Sequence, residues 1–372
     1  MRATTRGVPG AANPRGTTNP GGFGQAVVWG AAGRYIPPMR ILLVGGTGLL
    51  GGPAARALLS AGHAVTVLTR GGRGVPVGAA ALVADRRAAA PDTLHAALAG
   101  RRFDLTVDFL AYTAPDVARL LDVPRFIPGR YVMISTGQVY LVAADRTPPF
   151  REEDAEKPAM VEPPPGTRDH ANWVYGMGKR GAEAEVGRRR STGLDTLILR
   201  LPVVQGAEDG SRRLWAYLQR LRDGGPLLLP EGGDAPVRYV WSEDVARLLT
   251  RLAAGLATPS PAYNLAMPEE TTLRGLVERA AALLGVTADL IPAASETLTA
   301  AGIDPNFSPY SGSWCSRPDP ARLAGELGFA CTPLDEWLPD VVRAHLAEPD
   351  PEPDMGYVYR PAELAFAATT RA

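Results

Sequence analysis

Tyr175 and Lys179 stand four residues apart at the head of a charged stretch, Tyr175–Arg190, whose spacing is that of a long helix. Residues i and i+4 of a helix share a face, so the phenol and the ammonium point the same way. Such a lysine is expected to lower the tyrosine's pKa from its usual value near 10. A phenol tuned in this way can pass a proton to or from a substrate oxygen. A hydroxyl to fix that oxygen is at hand in Ser135-Thr136-Gly137-Gln138-Val139-Tyr140, which closes the apolar run Tyr131–Ser135.

A second constellation supplies a partner for that proton chemistry. Gly45-Gly46-Thr47-Gly48-Leu49-Leu50-Gly51 follows the apolar run Arg40–Val44 and opens Leu49–Ala61, which has helical spacing. A dinucleotide-binding loop needs glycine for a tight turn (Gly45), for close approach of backbone to pyrophosphate (Gly48) and for helix–strand packing (Gly51). The helix N-terminus then directs free N–H groups and a positive dipole end at the phosphates. With a strand before, a helix after and a second strand at Ala64–Leu68, the pattern reads as a cofactor loop contacted through Gly45, Thr47, Gly48, Leu49, Leu50 and Gly51.

The end of the second strand bears on which cofactor. An acid there would bind the adenosine ribose 2′-OH, but the chain has Thr69-Arg70, with Arg73 close by. Arg70 can make charge-assisted bonds to a 2′-phosphate, so NADP is favoured over NAD. A solvated strand-end charge is the other reading of Arg70. Asp85, after the third strand, is placed either to touch the adenine or to cap the segment that follows.

These groups need a scaffold, and from Met39 the sequence alternates short apolar runs with amphipathic stretches. Strands are expected at Arg40–Val44, Ala64–Leu68, Ala80–Ala84, Leu105–Leu110, Tyr131–Ser135 and Thr196–Leu201, and helices at Leu49–Ala61, Pro91–Leu98 and Tyr175–Arg190. Such alternation, with strands apolar throughout, argues for a doubly wound parallel α/β sheet of Rossmann type covered on both faces. After Pro202 the alternation is lost. Helices are expected at Arg212–Arg222, Glu243–Ala254, Thr272–Leu284 and Leu334–Leu346, joined by Gly/Pro turns, as a smaller mixed C-terminal lobe. The division is 1–38 as a disordered tail or a start called too early, and 39–206 as the dinucleotide-binding domain. Residues 207–348 form the substrate lobe, with some segments returning to the sheet, and 349–372 a surface tail.

The 372 residues carry 39 Lys+Arg and 39 Asp+Glu, so the net charge is zero and no polyanionic partner is indicated. Arg188-Arg189-Arg190 ends a helix, where cations favour the dipole. Cys315 and Cys331 lack a Cys-x-x-Cys or histidine companion, which argues against structural zinc and a disulfide framework and fits a cytoplasmic protein. The four histidines show no ligand spacing, and no metal is expected. No apolar run reaches the roughly 18 residues that span a bilayer. Trp215, Tyr217 and Trp241 are expected in the core or an interface, and Leu141–Trp173 as a lid or a plain surface loop.

Over roughly Met39 to His345 the chain resembles the extended short-chain dehydrogenase/reductase superfamily, the group of sugar-nucleotide epimerases and related reductases. The resemblance rests on the glycine loop, the Val139-Tyr140 pair, Tyr175/Lys179, and Leu199-Arg200-Leu201-Pro202 with Gly206. It implies Thr136, rather than Ser135, as the catalytic hydroxyl beside Tyr175 and Lys179, and Lys179 as a holder of the nicotinamide ribose. Leu110, Ala111 and Pro202 would border the cofactor. It further implies a sugar-like small-molecule substrate and a homodimer packed through the Tyr175 helix. Gly137-Gln138 stand where family dehydratases carry acids, which argues against sugar 4,6-dehydration. Val237-Arg238-Tyr239 shifts by one position the arginine that in sugar-nucleotide enzymes binds a diphosphate. Asp85-Arg86-Arg87 and Val107–Tyr112 are similar to the RNA-binding branch of chloroplast stem-loop-binding proteins. A regulatory or RNA-binding protein of this fold is thus the alternative, against which the neutral charge and the Tyr175/Lys179 pair weigh.

Overall fold

The computed structural model describes residues 37–72, 74–88, 92–348 and 353–371. The N-terminal tail, but for its last two residues, and Arg73 lie outside them. The first half runs β1 (Arg40–Val44), α1 (Gly51–Ser60), β2 (Ala64–Thr69), β3 (Ala80–Val83), α2 (Asp92–Leu98), β4 (Leu105–Asp108) and α3 (Ala114–Leu121). It continues through β5 (Arg130–Thr136), the single turn α4 (Gln138–Leu141), α5 (Arg168–Ser191) and β6 (Thr196–Leu201). Next come β7 (Val203–Gln205), α6 (Trp215–Asp223), β8 (Leu227–Pro230), β9 (Pro236–Val237), β10 (Tyr239–Trp241) and α7 (Ser242–Ala253). Then follow β11 (Ala262–Asn264), β12 (Thr271–Thr272), α8 (Leu273–Leu284), β13 (Leu290–Ala293) and α9 (Ser295–Ala300). Helices α10 (Ala321–Leu327), α11 (Leu334–Leu346) and α12 (Arg360–Arg371) complete the order.

Seven parallel strands form one sheet in the order β11-β6-β5-β4-β1-β2-β3. The order reverses between β1 and β4, and the crevice beyond the strand ends at such a reversal is where ligands bind in open α/β sheets. The apolar strands follow from double coverage. Ile41 and Leu43 join Leu58 of α1 and Val245 and Leu249 of α7 on one face, while Leu42 and Val44 join Val117 of α3 and Val186 of α5 on the other. A strand's side chains alternate faces, so a strand buried on both sides is apolar at most positions, and its few polar residues, such as Asp108 of β4 and Arg200 of β6, are buried with partners.

Two local departures from the expected pattern shape the site. Helix α3 was not evident from periodicity; its start is chemical, a Thr113/Asp116 capping box with Pro115 in the first turn. Helix α5 begins at Arg168, capped by Thr167, well before Tyr175. Much of Leu141–Trp173 is therefore not a free lid. Phe150 and Glu152 are buried, Phe150 N–H donates to Arg317 O at 2.9 Å, and Glu152 Oε1 accepts from Asn264 N–H at 2.8 Å.

The C-terminal lobe has its own core, in which α6, α8 and α11 pack through Leu218, Leu276, Val277, Trp337 and Val341. Trp215 and Tyr217 lie inside it. Strand β11 joins β6 at the edge of the seven-stranded sheet, and β10 pairs with β7 in a separate two-stranded sheet. The surface tail expected at 349–372 is different. Arg360, Glu363 and Ala367 of α12 are buried, and Glu363 takes the Arg220 guanidinium at 2.7 Å. Those buried positions are spaced by three and four, a helical period masked in the sequence by the Pro/Asp-rich stretch before it. Cys315 and Cys331 are unpaired. Among the described residues no helix is long and apolar enough to cross a membrane.

Candidate active site

The glycine loop has the geometry its residue types require. Gly45 adopts φ +90°, and a Cβ there would meet Leu110 Cγ at 2.6 Å. A Cβ on Gly51 would collide with the backbone of Gly45 and Gly46, whereas one on Gly48 would meet nothing within 4 Å. Open space at Gly48 is where a pyrophosphate needs close backbone approach. Helix α1 has no side-chain cap and no acid in its first turn, so its free N–H groups and dipole are available to an anion. These residues fit a dinucleotide.

On the β2–β3 side of the loop a pocket of about 330 Å³ is lined by Leu68, Thr69, Arg70, Asp85, Arg87 and Leu110, among others. Exposed Arg70 stands at this pocket without a carboxylate partner among the ion pairs of the described residues. Asp85 lines this pocket, and its Oδ1 accepts from Arg87 N–H at 2.9 Å, which caps the segment that follows. Ala111, expected to border the cofactor, is fully buried in the core and lines neither this pocket nor the cavity on the other side of the loop. Arg86 Nη1 donates to both oxygens of buried Asp108 at 2.7 and 2.9 Å, and Arg87 holds Asp116 at 3.1 and 3.2 Å. These arginines, which suggested an RNA surface, are occupied by carboxylates, as Arg188 and Arg189 are by Glu185 and Asp122.

On the other side of the loop a cavity of about 720 Å³ gathers Leu49, Leu50, Thr136, Tyr175, Lys179 and Pro202 from four separate stretches of chain. The two hydroxyls of the Ser135-Thr136 pair have different surroundings. Ser135 is buried and its Oγ donates to Glu183 Oε1 at 2.5 Å, whereas Thr136 Oγ1 accepts from Gln138 N–H at 3.2 Å and Thr136 lines the cavity together with Tyr175. Lys179 is 3% exposed; its Nζ donates to Ile134 O at 2.9 Å and lies 4.8 Å from the Tyr112 ring centroid.

The electrostatics correct one expectation. Tyr175 was expected to have a lowered pKa, but it is raised: protein around the phenol end of this partly exposed ring removes water, and that outweighs the opposing influence of the Thr136 hydroxyl. The shift falls on Lys179 instead, where burial pushes the ammonium down to about 8 despite Asp108 and Glu183 nearby. Spacing brought the two residues to one face; burial, invisible in spacing, decided which of them moved.

Several cavity residues carried no signal in the sequence. Trp314 and Ser316 close one side: Trp314 Nε1 donates to Asp169 Oδ1 at 2.7 Å, and Ser316 occupies the space a side chain at position 137 would need. The absence of an acid after Thr136 thus has a steric counterpart. Asp209 and Arg213, paired at 2.9 Å, stand at another side. Below the strand ends a buried polar network locks the frame. Glu183 binds Arg200 at 2.7 Å, Arg200 also donates to Glu152 O at 2.6 Å, and Tyr140 donates to Asn264 Oδ1 at 2.6 Å. His170, within the stretch expected as a lid or a surface loop, faces Glu162 at 3.0 Å. Among the described residues no cluster of His, Cys, Asp and Glu could hold a metal ion.

The chain is 27% identical over 259 residues to 2′-dehydrokanamycin reductase of Streptomyces kanamyceticus, covering 66% of this chain and 67% of that protein. It is 30% identical over 224 residues to the 3-diazoavenalumate denitrifying reductase of a Streptomyces species, covering 55% of this chain and 69% of that one. The UDP-glucose 4-epimerase of Thermotoga maritima shares the fold, with a TM-score of 0.65 at 18% identity over 83% of this chain and 99% of that one. Residues 41–266 match the model of the NAD dependent epimerase/dehydratase family, and the chain belongs to that family.

Proposed function

We propose that this protein is an NADP(H)-preferring reductase that reduces a ketone to a secondary alcohol on a sugar-like small molecule. The observation that carries the reading is the cavity in which Thr136, Tyr175, Lys179 and Pro202 meet the glycine-loop residues Leu49 and Leu50. When bound, the dinucleotide supplies the hydride. Tyr175 donates its phenolic proton to the carbonyl oxygen while Thr136 orients that oxygen. Tyr175 is protonated at neutral pH, as a proton donor in the reductive direction must be. Lys179 keeps N–H groups directed at the ribose hydroxyls and fixes the nicotinamide end.

Net reduction rather than epimerisation is supported by the names of the two Streptomyces relatives, both reductases. Arg70 beside an open pocket supports NADP through charge-assisted bonds to the 2′-phosphate. The test is calorimetric titration with NADPH and NADH, then NADPH oxidation against methyl ketoglycosides by wild type and Tyr175→Phe. The expected result is tighter NADPH binding, turnover by wild type, and a Phe variant that binds NADPH but does not turn over. Failure to bind either dinucleotide, or full activity in Tyr175→Phe, overturns the reading.

A further inference from the structure

Tyr112 lines both the pocket beside Arg70 and the catalytic cavity beside Lys179. Its ring is flanked by two cations. Lys179 Nζ lies 4.8 Å from the ring centroid and Arg87 Cζ lies 5.0 Å from it, within the range of cation–π attraction. The Tyr175 ring is 6.2 Å away, tilted by 51°.

The backbone under this ring is pinned from two directions. Tyr112 N–H donates to Asp116 Oδ2 at 3.0 Å, the same carboxylate that holds Arg87 and caps α3 through Thr113. On the opposite side α5 packs so closely that a Cβ on Gly178 would stand 2.9 Å from Tyr112 O. The ring is therefore set by the loop that joins β4 to α3, and both cations are set around it.

The donors left over are the informative part. A lysine ammonium has three N–H bonds; one of Lys179's goes to Ile134 O, and the face toward Tyr112 is taken by the ring. Arg87 commits Nε and Nη2 to Asp116 and keeps Nη1. Each cation thus retains donor capacity, one beside the catalytic cavity and one beside the Arg70 pocket, with the same aromatic ring between them.

We propose that Tyr112 is a positioning residue for the dinucleotide: it seats Lys179 and Arg87 at a fixed separation so that their remaining N–H groups meet ribose and phosphate oxygens of the cofactor's two halves. This rests on the cofactor reading above and adds a residue outside the glycine loop and the catalytic three. A seat of this kind is preorganisation, since cations already held against a ring need no further ordering when the ligand arrives.

The test compares Tyr112→Phe, which keeps the π face, with Tyr112→Leu, which keeps apolar bulk without it. Both are titrated calorimetrically with NADPH and with 2′,5′-ADP, a probe of the adenosine half alone. Phe is expected to bind both within about twofold of wild type. Leu is expected to bind NADPH about tenfold and 2′,5′-ADP about threefold more weakly, as two and one lost cation–π contacts imply. Leucine affinities equal to wild type, or a Phe variant as weak as Leu, overturn the proposal. If Tyr112→Leu does not fold, Arg87→Met decides in its place: weaker 2′,5′-ADP binding supports the seat, and unchanged binding overturns it. A wild type that binds neither NADPH nor NADH fails the cofactor reading itself, a different result from any of these.

Discussion

Replacing Lys179 with Met should make the protein more stable at neutral pH while abolishing its function. Lys179 is 3% exposed, and burial lowers its pKa from 10.5 to about 8. Between those two values the unfolded chain binds a proton that the folded chain does not, so stability rises with pH across that window. Below about 8 the lysine is charged in both states and the folded state carries the full cost of burying it. A fall from 10.5 to about 8 corresponds to about 3 kcal/mol. Methionine fills similar volume without charge but gives up the bond to Ile134 O, worth about 1 kcal/mol. The net expectation is a gain of about 2 kcal/mol at pH 7, shrinking as the wild type sheds its proton above pH 8. Urea unfolding of both proteins at pH 7 and pH 10 measures this; the midpoint at pH 7 should rise by about 0.5 M. A Lys179→Met protein less stable than wild type at pH 7, or a difference that does not narrow toward pH 10, would refute the reasoning. Such a result would mean that the ammonium reaches water or a carboxylate.

Other substitutions probe the remaining features. Glu363→Ala leaves Arg220 buried without its carboxylate and should cost about 3–5 kcal/mol, read as a lowered urea midpoint; the paired change Arg220→Met with Glu363→Leu should recover most of it. Gly137→Ala drives a methyl group into Ser316 and should cost about 1–3 kcal/mol, relieved when Ser316→Gly is added; a stable single variant would show that the Trp314–Ser316 segment yields freely. Arg70→Asp should weaken NADPH binding by about 10- to 100-fold, the worth of a charge-assisted bond, and leave NADH binding unchanged or improved; equal loss for both dinucleotides would exclude recognition of the 2′-phosphate.

The parts of the site legible in the sequence are those whose requirement is local. Gly45, Gly48 and Gly51 answer a turn, an approach and a packing contact within one short loop, and the fourfold spacing of Tyr175 and Lys179 places them on one helix face. The preference for Thr136 over Ser135 needed the resemblance, because adjacent hydroxyls look alike until one is seen bonded to Glu183. Distant partners were not legible at all. Arg200 reads as a charge in an apolar strand, and only the fold brings Glu183 and the Glu152 carbonyl to it. Trp314 and Ser316 reach the cavity from a stretch without regular period. The sign of the Tyr175 shift was misread for the same reason: spacing reports which groups are neighbours, while desolvation depends on everything packed around them. Helix α3 was missed because it is only 8 residues long, and α12 because proline and aspartate precede it.

Helix α12 also bears on how the chain comes to be folded. During synthesis the strands β1 to β6 are complete long before α12 is made, and the sheet then waits only for β11. The Arg220 guanidinium, on α6, is buried in the finished protein, yet its carboxylate partner is translated more than a hundred residues later. Until then α6 carries a cation facing apolar surface, which opposes premature closure of the C-terminal lobe. The two halves should accordingly mature in order, the sheet of β1 to β6 during translation and the C-terminal lobe after it. A ribosome-stalled chain ending near residue 350 should then resist proteolysis through α5 and β6 while remaining open to cleavage from α6 onward.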